Sequence, residues 1–501
     1  MNRIARTFDR RRVLAVPLLW LASIAAAAPP VQEAVYARHL ATLAGDAFEG
    51  RMPGTAGEEK TVAYLVEQFR ALGAVPIAGS SFIQPVPLLE IAPKPEPRLS
   101  FTPPRGVETM KFGADAVVFT KRLVPAAAIA DSPVVFVGHG VVAPEYGWND
   151  YAGVDMKGKT ALILINDPGF ASGDESLFRG RALTYYGRWT YKFEEAARQG
   201  AAAALIVHET VPAAYGWPTV VNSWANPQLD MQAGDGRAGR VAIEGWLTHE
   251  RAAALLASAG QDFEALKKAA GTRGFRPVPL PVRATAGVEN SLRKSNSANV
   301  IAAIPGSKRP GEYVFYVAHW DHLGRTQGGE GDQTFNGAVD NATGVAGLLA
   351  IADAFERAPA RPERTVVFLA VPAEEQGLLG SEYYVAHPLV PLAQTVAVFN
   401  MDALYFGGRT RDVRVVGAGA SDLDRYLAEE AARRGLAPVP EALPEKGHFY
   451  RSDHFSFAQA GVPALYLKTG IDDVQGGAAA GAAREADYVA RRYHQVGDNY
   501  T

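Results

Sequence analysis

The chain has 501 residues, 48% hydrophobic and 21% charged, long enough for two or three folding units with ordinary buried cores. Its 50 basic and 53 acidic side chains leave a net charge of −3, so no charge surplus points to nucleic acid or an anionic membrane as partner. It contains no cysteine, which excludes disulfides and thiolate ligands and leaves histidine and carboxylates for any metal chemistry.

In chain order, Arg3, Arg6, Arg10, Arg11 and Arg12 precede an apolar run, residues 13–28, that closes in four alanines. Charge, then a short apolar stretch, then small residues is the layout of a secretory signal. These 16 residues, with a proline inside, fall short of the ~20 needed to span a bilayer. Residues 1–28 are therefore expected to be a cleaved signal, and the protein to be exported to the periplasm or the medium. No later stretch reads as long and apolar enough to span. The oligomeric state stays open.

Residues 57–72 predict a helix with Val62, Leu65, Phe69 and Leu72 on one face and Gly73 as its cap. Proline-rich stretches follow at 93–97 and 103–104. From about Asp131 the texture turns to short β runs at 133–137, 161–166 and 203–207, with a short helix at 194–199. The proline-rich stretch 277–281 closes this region. The expected organisation is thus 31–119 as the first part of one domain, 120–285 as a β-rich α+β insertion, and 290–501 as the remainder. From Ser297 strands (313–318, 365–371, 395–401, 464–468) alternate with helical stretches. Val345, Leu348, Leu349, Ala352 and Phe355 mark one helical face. Residues 478–483 read as a short Ala/Gly-rich loop. The pattern predicts an α/β fold: a mixed, mostly parallel central sheet with helices on both faces.

Chemistry-bearing residues follow three of these strands and precede a helix. The first ends in His319-Trp320-Asp321-His322, the second in Pro372-Ala373-Glu374-Glu375, the third in Asp402, and Asp340-Asn341 precedes the Val345 helix. Open α/β sheets build their sites at the carboxyl ends of strands. Singly, each residue has an ordinary explanation: Asp340 as a helix cap, Glu374 and Glu375 as acids near a helix N-terminus. Jointly they offer the histidine and carboxylate donors that two Zn²⁺ ions about 3.5–4 Å apart require, with one carboxylate bridging. Asp321, two residues past His319, would point to the same side and accept the free imidazole N–H.

The segments 318–324, 337–344, 373–377, 400–402 and 493–498 resemble the co-catalytic zinc aminopeptidase family, which includes secreted bacterial leucyl-type aminopeptidases and glutamate carboxypeptidases. Residues 45–55 are similar to the family's N-terminal segment, and the middle region resembles its inserted protease-associated domain. The resemblance implies a zinc-exopeptidase fold holding two zinc ions. Asp340 would bridge them, His319 and Asp402 would hold one, and Glu375 and His494 the other. It further implies Glu374 as general base, Tyr493 as an oxyanion-stabilising phenol, and a cis peptide between Asp340 and Asn341. The implied activity is removal of N-terminal residues from a peptide substrate. A carboxypeptidase acting on acidic C-terminal residues is a second possibility, and it would need an Arg/Lys cluster in its pocket. A non-catalytic descendant would have lost a ligand or the base, and all are in place.

Residues 153–160 match a phosphate loop letter for letter, but a strand follows where a helix is required, so nucleotide binding is rejected. No H-E-x-x-H or G-x-S-x-G segment occurs. Asn341-Ala342-Thr343 fits a glycosylation acceptor but falls inside the expected site. Ser452-Asp453-His454 recurs in the resembling family near the substrate pocket.

Overall fold

The computed structural model describes residues 29–326, 331–404 and 407–501. The expected signal, residues 1–28, lies outside the described residues.

Strands Arg309–His319, Arg364–Val371, Thr395–Asn400 and Ala464–Thr469 run parallel, so their carboxyl ends share one edge of the sheet. Antiparallel strands flank them: Asp412–Val416 on one side and the second half of Val278–Ile304 on the other. Arg364–Val371 is buried on both faces, which is why its apolar run is unbroken rather than alternating. On one face, Leu65 and Phe69 of the helix Ala56–Ala71 and Val345, Leu348 and Leu349 of the helix Thr343–Glu356 pack with Phe368 and Val300. On the other, Phe315, Val367 and Leu369 pack with Tyr384 and Phe457. This is the mixed, mostly parallel sheet covered on both sides that the strand–helix alternation predicts.

A second sheet lies beyond. Ala126–Phe136, Thr160–Leu164, Ala203–His208 and Ile243–Thr248 pair in parallel in that order, and Ala116–Phe119 closes the edge antiparallel. The 27-residue strand Val278–Ile304 belongs to both sheets. Its first part pairs with Ala126–Phe136 and Arg98–Thr102, its second with Ile83–Pro93 and Arg364–Val371.

These pairings move the boundaries. Arg98–Thr102 and Ala116–Phe119 belong to the second sheet, so that unit begins near residue 98 rather than 120. No break falls at 285–290, because one strand crosses it. The prolines of 277–281 are accommodated where the ladder slips, between Pro279 and Arg283. Residues 153–160 lead into the strand Thr160–Leu164 with no helix after them.

Two further expectations are corrected. Residues 478–483 are not a loop but part of the helix Gly477–Arg491. Alanine is a strong helix former, and Gly481 fits because a Cβ there would come within 2.0 Å of the Ile471 carbonyl oxygen. Ala338–Glu356 is, by length and composition, apolar enough to cross a membrane, yet 78% of its most apolar window is buried inside the fold. It is the sheet's covering helix, apolar because protein surrounds it on nearly all sides.

Candidate metal centre

The shared strand edge carries the donors. His319 closes its strand and is 1% exposed. Glu374 and Glu375 follow Arg364–Val371, and Asp402 follows Thr395–Asn400. Asp340 sits in the turn before the helix Thr343–Glu356. That turn opens on Gly337 at φ 52°, where a Cβ would lie 2.1 Å from the Asp340 carbonyl oxygen. The Asp340–Asn341 peptide is cis.

Asn341 ties this turn to the Asp402 segment. Its Oδ1 accepts from the Gly344 and Ala403 N–H groups (2.9 and 3.3 Å), and its Nδ2 donates to the Met401 carbonyl (3.0 Å). From the other side, the Asp498 carboxylate accepts from the Val339 and Asp340 N–H groups, each at 3.1 Å. Asn341, Ala342 and Thr343 are all buried, so no glycan can reach that asparagine in the folded protein.

The distances converge on Asp340. Its Oδ1 lies 3.3 Å from His319 Nε2 and its Oδ2 lies 3.1 Å from His494 Nε2. Asp402 Oδ1 stands 3.4 Å from His319 Nε2, and Glu375 Oε2 stands 3.1 Å from His494 Nε2. Donors about 2.0–2.1 Å from a tetrahedral ion are roughly 3.3 Å from one another, so these spacings fit zinc. Charge fits as well. Asp321, Asp340, Glu374, Glu375, Asp402 and Asp453 are all buried or nearly so. The neighbouring Arg51 spends its guanidinium on backbone carbonyls. Carboxylates gathered in this way call for cations.

The ionisation directions express the same surplus. Burial, then the charges of Asp402, Glu375 and Asp453, push Glu374 well above the usual carboxylate range against the opposing pull of His319. Burial opposes ionisation of Glu375 too, but His494 and His322 bring it down to about 2. Burial also works against charging His494, yet Glu375 and Asp340 raise it to about 10.

Three residues differ from, or add to, the sequence-based picture. The His319 Nδ1 lies 3.2 Å from the Asp321 backbone carbonyl and 3.6 Å from its carboxylate, so the nearer acceptor is the main chain. The Asp321 carboxylate instead accepts from the Glu374 N–H at 3.2 Å, fixing the backbone of the acid pair. His322 is an addition. Its Nδ1 is 2.6 Å from Glu375 Oε1, and with Asp340 and Glu375 it forms a second group of mutually close donors beside that of His319, Glu374 and Asp402. Glu375 thus turns one oxygen to His322 and the other to His494. Tyr466 is a second addition, its hydroxyl 3.4 Å from Asp402 Oδ2. A second histidine in one loop and a strand tyrosine carry no spacing signal of their own, which is why sequence reasoning passes over them.

Tyr493 stacks on the His494 ring at 4.0 Å and is 43% exposed, so it lines the rim. Desolvation of its hydroxyl and the charges of Asp340, Glu375 and Glu374 hold its proton on well above the ordinary phenol range. Asp453 and His454 are fully buried.

Comparison with known proteins places this geometry. A model of peptidase family M28 matches residues 299–501. Aminopeptidase NAALADL1 of Rattus norvegicus is 32% identical over 145 residues, covering 27% of this chain and 18% of that protein. A probable zinc metalloprotease of Pyrenophora teres f. teres (strain 0-1) is 40% identical over 88 residues, covering 17% of this chain and 18% of that one. The chain thus spans less than a fifth of either relative's length. The solved aminopeptidase from Aneurinibacillus sp. strain AM-1 shares the fold over 93% of both chains, with a TM-score of 0.52 at 22% identity. Residues 299–501 of this chain are thus similar to peptidase family M28.

Proposed function

We propose that the protein is an exported zinc-dependent exopeptidase that removes N-terminal residues from peptides at a two-zinc site. The observation that carries this reading is the disposition of Asp340, whose two carboxylate oxygens face two different imidazoles, His319 and His494. His319 and Asp402 would complete one position, and Glu375 and His494 the other, with Asp340 shared. Bound there, the ions supply Lewis-acid polarisation of a carbonyl and bring the ionisation of water near neutral pH.

The chain's own groups do the rest. Glu374 Oε2 lies 4.0 Å from His319 Nε2, beside the donors His319 and Asp402. As a carboxylate that binds a proton readily, it takes one from the attacking water and hands it to the leaving amine. Tyr493, protonated on the rim, offers its O–H to the oxyanion of the tetrahedral intermediate. Asp321, through the Glu374 N–H, keeps the base in place.

The test compares aminoacyl-anilides with N-acetylated peptides, using wild type and Glu374→Gln. Wild type should cleave the anilides, lose activity on chelation and regain it with zinc. The variant should keep its metal and lose about 10²–10⁴-fold in turnover. Cleavage confined to the blocked peptides would instead assign the carboxypeptidase reaction.

A further inference from the structure

The close pairs at the site fall into two distance classes. His319–Asp340, His319–Asp402, His494–Asp340 and His494–Glu375 are separated by 3.3, 3.4, 3.1 and 3.1 Å. That is the spacing of two ligands on one tetrahedral ion. His322 Nδ1 and Glu375 Oε1 are only 2.6 Å apart, well inside that spacing and at the length of a hydrogen bond onto a charged acceptor. An ionised carboxylate only accepts, so the imidazole donates from Nδ1.

The surroundings hold this imidazole in place. Its side chain is completely buried. Gly337 lies directly against the ring: a Cβ there would come within 2.6 Å of the His322 Cγ and Cδ2. The His494 ring meets it edge-on, with centroids 5.7 Å apart and planes at 74°. The other nitrogen, Nε2, is buried with no hydrogen-bond partner among the described residues. A leucine would fill the space without stranding a nitrogen, so packing alone does not account for a histidine here. What the histidine adds is the Nδ1 contact. With Oε1 engaged, Glu375 keeps Oε2 to share with His494. Asp402 is held more loosely, the Tyr466 hydroxyl being 3.4 Å from its Oδ2.

We infer that His322 is a positioning residue that occupies one oxygen of Glu375, so that the ion proposed at the Glu375–His494 position receives a single oxygen from it. This rests on the two-zinc reading and deepens it. Asp340, Glu375 and His494 would then supply one atom each to that ion. Three protein ligands with a fourth place left for substrate is the arrangement catalytic zinc uses. Asp402 has no contact as short, so the two ions should differ in coordination.

The experiment loads wild type, His322→Leu and His322→Asn with Co²⁺ and reads visible absorption and bound metal per chain, without turnover. Leucine removes the donor, whereas asparagine keeps an N–H where Nδ1 stood. All three proteins should bind two ions. His322→Leu should lose absorption intensity at one of the two equivalents, because Glu375 then turns its second oxygen to the ion and coordination rises. It should also hold that ion about 10–100-fold more weakly. His322→Asn should match wild type. In parallel, wild type with isotope-labelled histidine should keep the His322 Nδ1–H proton resonance when zinc is added, so the result does not depend on the leucine variant folding. Disappearance of that proton, or loss of one ion from both variants, would make His322 a ligand and overturns the inference. A leucine spectrum equal to that of wild type overturns it and leaves the two-zinc reading standing, as does an asparagine variant that behaves like the leucine one. Uptake of fewer than two ions by wild type sinks the two-zinc reading, and this inference with it.

Discussion

Arg51 holds the site's backbone from behind. Its guanidinium donates to the carbonyls of Trp320, beside His319, and of Asn336 and Gly337, ahead of Asp340, as well as to Leu43. Four buried carbonyls and a neighbourhood of carboxylates depend on one cation, so Arg51→Met should cost about 3–5 kcal/mol. Urea unfolding would register this as a lower midpoint. The histidine–acid donor set was legible from residue types after strands, because few side chains other than these bind hard or borderline cations. Arg51 was not, because its partners are main-chain carbonyls up to 286 positions away that no side-chain pattern encodes. Another single-residue consequence concerns pH. Burial, then Lys192, lowers His139 from 6.5 to about 3. The folded protein therefore binds fewer protons there than the unfolded chain, and this share of stability, complete above pH 6.5, is lost as pH falls towards 3. His139→Gln removes the titration. Its stability relative to wild type should rise by about 1.4 kcal/mol per pH unit on acidification below 6.5, readable from unfolding midpoints between pH 7 and 5.

Among the elements, the helix Gly477–Arg491 departs furthest from its sequence signature. Its alanines and glycines lack the strong apolar stripe that announces a helix, and only Gly481 and Tyr488 are buried along it. What makes it a helix is the docking of Gly481 against the chain at Ile471, where glycine alone leaves room. It delivers His494 three residues beyond its end, at φ 57°. Gly481→Ala improves helix propensity by about 1 kcal/mol but drives a methyl into backbone, and the clash should win, with a net loss of about 1–3 kcal/mol. Calorimetry on the variant should show a lower Tm and a weaker zinc affinity, because the displaced helix leads into His494, a proposed ligand. The strand Val278–Ile304 makes the complementary point. Its prolines read as the close of the inserted region, whereas pairing with partners in two sheets keeps it one strand.

The whole molecule is two sheets sharing a strand, with the buried acids at the carboxyl edge of one of them. Ions bound only by the folded state stabilise it by mass action, about 2.7 kcal/mol at a hundredfold excess over Kd. Chelation should lower Tm by a corresponding few degrees and zinc should restore it, with Glu374→Gln behaving as wild type, since Glu374 is not among the proposed ligands. By itself the sequence determined the sheet class, the parallel strands and the identity of the proposed donors, because apolar runs and strand-end acids are local features with local causes. Only the tertiary structure decided where the second unit begins, that Asp321 supports Glu374 more directly than His319, and that His322 and Tyr466 join the site. Each of these depends on segments distant in the chain meeting in space, and chain order does not specify which distant segments will meet.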